Sequence, residues 1–195
     1  MMKNTAYSYG LVSRIFHWLM AIIIIGLFSS GLYMVELSYY DDWYQSAPYL
    51  HKSVGITLAI LLFFRITWNL FQIKPSPLTN NLLKNRLITT AHTGMYLLLI
   101  AIVLSGYLIS TADGRGIEFF YFFKLPATIS HLENQEDVSG LSHFYLAVSL
   151  ACIVILHALA ALKHHFIDHD ITLRRMTFQS SPVNLSNNQP TEEKP

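Results

Sequence analysis

The chain has 195 residues, of which 52% are hydrophobic and only 13% charged, and its formal net charge is +1. Ordinary soluble domains carry about 25% charged residues, so this balance excludes a water-solvated globule and a basic nucleic-acid binder, and the length suits one bundle. A single cysteine, Cys152, excludes a disulfide within the chain.

Four apolar stretches follow in chain order: residues 15–35, 50–71, 87–112 and 138–162. Each approaches or exceeds the ~20 residues that cross a bilayer as a helix. The first is long enough to span and lacks a small-residue cleavage site, so it reads as a span rather than a cleavable signal peptide. The second contains Lys52 and Arg65, placed to snorkel to opposite interfaces. Lipid offers backbone groups no partner and no barrel-like alternation is present, so the fold class is all-α, a four-helix transmembrane bundle over residues 1–176. The connections 36–49 and 113–137 are rich in Tyr, Phe and Trp, an interfacial composition, while 72–86 is a polar turn containing Lys-Pro-Ser-Pro. Residues 177–195 are Ser, Asn, Gln, Pro and Glu, a tail expected to be disordered.

With four spans, both termini and the 72–86 turn share one side. That side holds ten basic residues against three on the other (Lys52, Arg115 and Lys124), which predicts cytoplasmic termini in a plasma membrane.

The histidines sort onto this topology by depth. On the fourth span His143 and His157 are fourteen residues apart, which returns the helix to within about 40° of its starting face after a rise of roughly 21 Å. One helix therefore presents two stacked imidazoles, one toward each membrane surface. His51 opens the second span on the outer side, and His17 and His92 lie on the inner side of the first and third. Facing imidazoles on different helices are the axial pair that a haem iron takes: His51 with His143 outside, and His17 or His92 with His157 inside. A lone histidine at a helix end is more often an interface residue, but five distributed over both sides of four spans are not lone. No CxxCH is present, so the haem would be bound without covalent attachment.

The same fourteen-residue step leads from His17 to Gly31 and from His92 to Gly106. A helix with its histidine at the inner depth thus has a glycine at the outer depth, where a flat macrocycle needs room; helix packing is the alternative use of such glycines. Fourteen residues after His51 is Arg65, whose guanidinium would meet the inner haem's propionates or simply mark the positive-inside face. Arg14, another inner base, joins the expected cofactor-binding set. His164, seven residues beyond His157, is too far along to ligate the same iron and is placed to give a proton to a lipid-borne carrier, with His92 as a possible second donor. His131, His165 and His169 read as solvated residues.

No acidic residue lies within a span, which argues against an ion-coupled pump, and Glu-x-x-His pairs, HExxH and Gly-rich phosphate loops are absent. The chain can relay electrons, with donor and acceptor supplied from outside.

Phe16-His17-Trp18, Leu50-His51-Lys52-Ser53-Val54-Gly55, Ala91-His92 with Tyr96, Ser105-Gly106-Tyr107, Leu125-Pro126 and His157 through Lys163-His164-His165, Asp170 and Leu173-Arg174-Arg175-Met176 together resemble the bacterial cytochrome b561 family. The resemblance runs from about Tyr9 to Met176. It implies an inner-membrane protein with two haem b groups, His17 and His157 on one iron and His51 and His143 on the other, with His92 beside the inner haem or the quinone. It further implies, as in some members, a superoxide oxidase: periplasmic superoxide gives electrons at the outer haem and ubiquinone is reduced near His164, with Lys52 a local positive charge over the outer site.

Two features depart from that expectation. The outer side carries eight acidic residues against three basic ones, a formal −5 that repels an anion unless Lys52, Arg115 and Lys124 focus a positive funnel. Asn69 stands where family members often have a further basic residue. The competing readings are a quinone-linked cytochrome b anchor fed by a periplasmic redox partner, and a haem-free helical scaffold.

Overall fold

The computed structural model describes residues 1–177. The chain forms α1 (Leu11–Val35), α2 (Ser46–Leu70), α3 (Leu82–Thr111) and α4 (Gln135–Phe166), with a hairpin of β1 (Ile117–Phe119) and β2 (Phe123–Leu125) between α3 and α4. All four helices are long and apolar enough to cross a membrane. The shortest have 25 residues, about 37 Å of helix against roughly 30 Å of hydrocarbon. The tail expected to be disordered lies outside the described residues apart from Thr177.

All four helices begin before their apolar windows, and polar residues mark the starts of α3 and α4. Asn81 caps α3, its Oδ1 accepting from Leu83 N at 3.0 Å and Lys84 N at 3.1 Å. Gln135 opens α4 and donates from Nε2 to Leu108 O on α3 at 2.9 Å. Glu136 and Asp137 occupy the first turn of α4, and Lys163, His164 and His165 the last, each sign matching its end of the helix dipole.

Packing is uneven. α3 runs closely along α4 and α1 along α2, whereas α2 meets α3 more loosely and no comparable contact joins α1 to α4. The bundle is therefore two helix pairs with a slot between them. At mid-depth the slot is closed by Met20 of α1, Leu58 and Leu62 of α2, Leu99 of α3 and Leu150 of α4. Large apolar side chains such as Ile22, Phe63, Leu97 and Leu156 point outward, as expected where lipid is the solvent.

At the end bearing both termini, the chain is knitted by backbone acceptors. Ser76 N donates to Ala6 O at 2.8 Å, Arg175 Nη1 to Ser76 O at 2.7 Å and Trp18 Nε1 to Met176 O at 2.9 Å. At the opposite end the hairpin is an element the sequence did not announce. Its turn places Phe120 and Tyr121 at φ of 42° and 61°, a left-handed conformation costly for aromatic residues and usually reserved for Asn-Gly. Tertiary contacts hold it: Phe120 N donates to Ser53 Oγ at 3.3 Å, and the Tyr121 ring lies 4.9 Å from Tyr49.

Candidate metal centres

The fourteen-residue step on α4 brings its two histidines against different partners. The His143 and His51 rings have centroids 6.3 Å apart, and so do the His157 and His17 rings. Two imidazoles on opposite sides of one metal need about this separation, since a bond of roughly 2 Å and a ring radius of roughly 1.1 Å count twice. The pairs bridge the slot, α2 to α4 and α1 to α4, so a planar group could lie between the helix pairs without prising apart a packed interface. Among the described residues no three His, Cys, Asp or Glu side chains gather into a chelating cluster. Two facing nitrogens alone make a poor site for a bare ion; a macrocycle that brings its own four nitrogens suits them.

His92 stands apart from this arrangement. Its ring is 5.3 Å from that of His157 and nearly perpendicular to it, too close for the two to stand on opposite sides of one metal, and it is exposed. Of the two inner partners left open by the spacing, His17 has the metal-spanning separation. His92 instead donates Nδ1–H to Ile88 O at 2.7 Å, leaving Nε2 for exchange.

Hydrogen bonds fix the outer tautomers. His143 Nδ1 lies 3.0 Å from Ile102 O, an acceptor only, so Nδ1 carries the proton. Ser105 Oγ sits 3.1 Å from the same nitrogen and donates to Ile102 O itself. Ser30 Oγ lies 3.0 Å from Leu27 O and 2.9 Å from His51 Nδ1; with its proton on Leu27 O, the oxygen accepts from Nδ1–H and His51 takes the same tautomer as His143. Both outer rings thus keep an Nε2 lone pair for a metal. Ser30 is absent from the sequence expectations and Ser105 enters them only within a family motif; each precedes a glycine of the fourteen-residue set, and that adjacency is the available signal.

The two glycines lie where the spacing put them. A Cβ on Gly31 would come 3.5 Å from His51 Cε1, and one on Gly106 would come 3.2 Å from His143 Cε1 and 3.4 Å from Nδ1. Both flank the outer pair on helices whose histidines belong to the inner end.

At the inner end Arg65 is anchored inside the bundle. Its Nε donates to Tyr96 Oη at 2.9 Å, and Nη2 lies 3.3 Å from His17 Nδ1. Asn69 Nδ2 donates to the same Tyr96 oxygen at 2.9 Å, so Asn69 and Arg65 share one clamp on Tyr96. Arg14 is buried and donates from Nη1 to Thr177 O at 2.7 Å, tying α1 to the C-terminal segment. His164 is half-buried, with Nδ1 2.8 Å from Asp168 Oδ2 and 3.3 Å from Asp170 Oδ2.

The three outer bases separate. Arg115 is engaged by Asp113, whose carboxyl is held below its usual range mainly by that hydrogen bond, and Lys124 pairs in strand register with Glu118. Lys52 is exposed beside His51 and forms no ion pair among the described residues.

The geometry agrees with what known proteins resemble this chain. The family model for prokaryotic cytochrome b561 matches residues 8–179. Cytochrome b561 homolog 2 of Escherichia coli (strain K12) is 50% identical over 179 residues, covering 91% of this chain and 95% of that protein. A Yersinia pestis protein named "Probable superoxide oxidase CybB" is 30% identical over 174 residues, covering 82% of this chain and 90% of its own. With four membrane-length helices, a slot crossed by histidine pairs and a family match over nearly its whole length, the chain belongs to the prokaryotic cytochrome b561 family of membrane electron-transfer proteins.

Proposed function

We propose that the protein holds two haem b groups, one between His51 and His143 and one between His17 and His157, and passes electrons from periplasmic superoxide to ubiquinone. The observation that carries this reading is the pair of equal 6.3 Å ring separations at two depths of one bundle. When bound, the haems supply one-electron exchange at each membrane surface; the protein supplies ligation, burial and tuning. Overall, two superoxide anions become two dioxygen molecules while one quinone takes two electrons and two protons.

The chain's residues divide this work. Ser30, Ser105 and the Ile102 carbonyl orient the outer imidazoles through Nδ1. Gly31 and Gly106 leave the outer ring faces open. At the inner end His17 Nδ1 now meets a guanidinium, which can only donate; presenting Nε2 to a metal means exchanging that contact, and Arg65 is then free to pair with an anionic propionate. Arg14 contributes a second buried cation near that end. Lys52 draws an anion toward His51, and His164, with His92 behind it, gives protons to quinone from the inner side. Basic-residue asymmetry puts the termini in the cytoplasm, so the acceptor side faces the proton supply.

The test is reconstitution in lipid with ubiquinone and a superoxide source. Expected are two haem b per chain, haem reduction by superoxide, quinol formation, and a salt-sensitive rate that drops in Lys52→Ala. A second reading, a quinone-linked relay docked to a basic periplasmic redox protein, draws on the outer −5 charge and on the pairing of Arg115 and Lys124 with acids. Under that reading superoxide reduces the haems slowly and with no salt dependence, while a small cationic protein donor reduces them fast. A protein that takes up no haem when supplied with it would end both.

A further inference from the structure

The C-terminal turn after α4 folds two carboxylates back onto one edge of one imidazole. Asp168 Oδ2 lies 2.8 Å and Asp170 Oδ2 3.3 Å from His164 Nδ1. Neither carboxylate is adventitiously placed. Lys163 Nζ grips both oxygens of Asp168 at 2.8 and 3.0 Å, and the Asp168 backbone N–H bonds Lys163 O at 3.1 Å. Asp170 is fixed by its own turn, with Oδ1 accepting from Thr172 N at 2.7 Å and its N–H donating to His164 O at 3.0 Å.

We propose that Asp168 and Asp170 are positioning residues for proton delivery: they hold the His164 proton on Nδ1, so that Nε2 is the one ring atom that exchanges protons with quinone. An ionised carboxylate can only accept, so two of them at Nδ1 exclude the tautomer with the lone pair there. This rests on the quinone placement near His164 given above. In the balanced step, quinone would take two electrons, which the haems would supply when bound, and two protons. One proton leaves the doubly protonated ring from Nε2 and is replaced there from water, and the other comes from water directly. Nδ1–H stays in place throughout, which keeps the ring from rotating away between turnovers. Without the carboxylates the proton divides between the two nitrogens and the ring swivels, so a fraction of encounters meets the wrong edge.

The experiment uses the full chain, haem-loaded in lipid nanodiscs, reduced with stoichiometric dithionite and mixed with decylubiquinone, so that no assumption about the donor enters. Haem reoxidation is expected to slow about tenfold in His164→Ala and in the double variant Asp168→Asn with Asp170→Asn. The quinone concentration at half-maximal rate should stay within about threefold, and Asp168→Glu should keep most of the rate. A second readout needs no turnover: ¹⁵N NMR of labelled histidine, with the His164 signal assigned by its loss in His164→Ala, should show Nδ1–H in the wild type and mixed tautomers in the double variant. If the double variant loses its haem bands, the single Asn variants give the same comparison with about threefold slowing. Wild-type rate and tautomer in the Asn variants would overturn the positioning role alone. A weaker quinone half-saturation with unchanged maximal rate would do the same. Wild-type rate in His164→Ala would overturn the quinone placement and the positioning role together.

Discussion

Gly106→Ala isolates the steric part of the haem hypothesis. The added methyl would sit 3.2 Å from His143 Cε1 and 3.4 Å from Nδ1, tighter than ordinary van der Waals contact, so the ring must give by a few tenths of an ångström. It cannot do so freely, because Nδ1 is bonded to Ile102 O at 3.0 Å and approached by Ser105 Oγ at 3.1 Å. Loosening the Ile102 bond costs about 1 kcal/mol, while replacing glycine by alanine within a helix returns nearly the same amount. Overall stability should therefore move little, and the change should be confined to the ligand. Gly31→Ala brings its methyl only to 3.5 Å from His51 Cε1, and Gly94→Ala meets nothing within 4 Å. In a redox titration of the haem bands, Gly106→Ala is expected to shift or weaken one component, Gly31→Ala to shift it less, and Gly94→Ala to leave both unchanged. Identical titrations for Gly106→Ala and Gly94→Ala would refute the placement of a haem ligand at His143.

Haem-to-protein ratios separate the two inner histidines: His17→Ala should lose about one of two haems, and His92→Ala should keep both, measured on purified protein by pyridine haemochrome. Leu150→Ala opens a hole in the mid-depth cluster where Leu150 is only 4% exposed. In lipid the transfer part of the penalty is small, so the cost should sit near the low end of the usual ~2–5 kcal/mol, read as a lower melting temperature with haem content retained. Asp168 is held below the usual carboxylate range, first by the Lys163 hydrogen bond and then by the positive charges of Lys163 and His164. A depressed carboxylate stabilises the fold above its unfolded pKa and loses that contribution as pH falls through its folded value. The melting temperature of the wild type should therefore exceed that of Asp168→Asn at pH 7, with the gap closing only as acidification carries the pH below the ordinary carboxylate range.

What the sequence made legible was whatever a helix's period controls. Four apolar stretches became four helices, and the fourteen-residue step from His17 and His92 leads to Gly31 and Gly106, which lie beside the His51 and His143 rings. The choice between His17 and His92 was not legible from depth alone, because both lie at the same level; it depended on which helix crosses the slot. Helix ends also escaped composition, since α3 starts at a polar Asn81 cap and α4 at Gln135, both outside any apolar window. The hairpin was hidden for a different reason. Its turn uses Phe120 and Tyr121, so the conformation is imposed by Ser53 and Tyr49 from α2 rather than by local preference. Asp168 gives no signal in the sequence and Asp170 appears there only within a family motif; the chain reversal after α4 is what brings both to one imidazole.

The spacing that sets the paired histidines also sets what lies between them. Seven residues after His51 comes Leu58, seven after His92 comes Leu99, and seven after His143 comes Leu150; all three belong to the buried cluster at mid-depth. Seven residues turn a helix by nearly two full revolutions and raise it about 10 Å, so each leucine shares the face of its histidine halfway to the next functional position. On α1 the corresponding residue, Ile24, packs against the same cluster. One heptad step therefore builds an apolar plug that keeps water from running between the two polar ends of the slot. Two steps rebuild a site roughly 21 Å away. Under the proposed function, this apolar layer between the two histidine pairs leaves electron transfer as the link between the two surfaces.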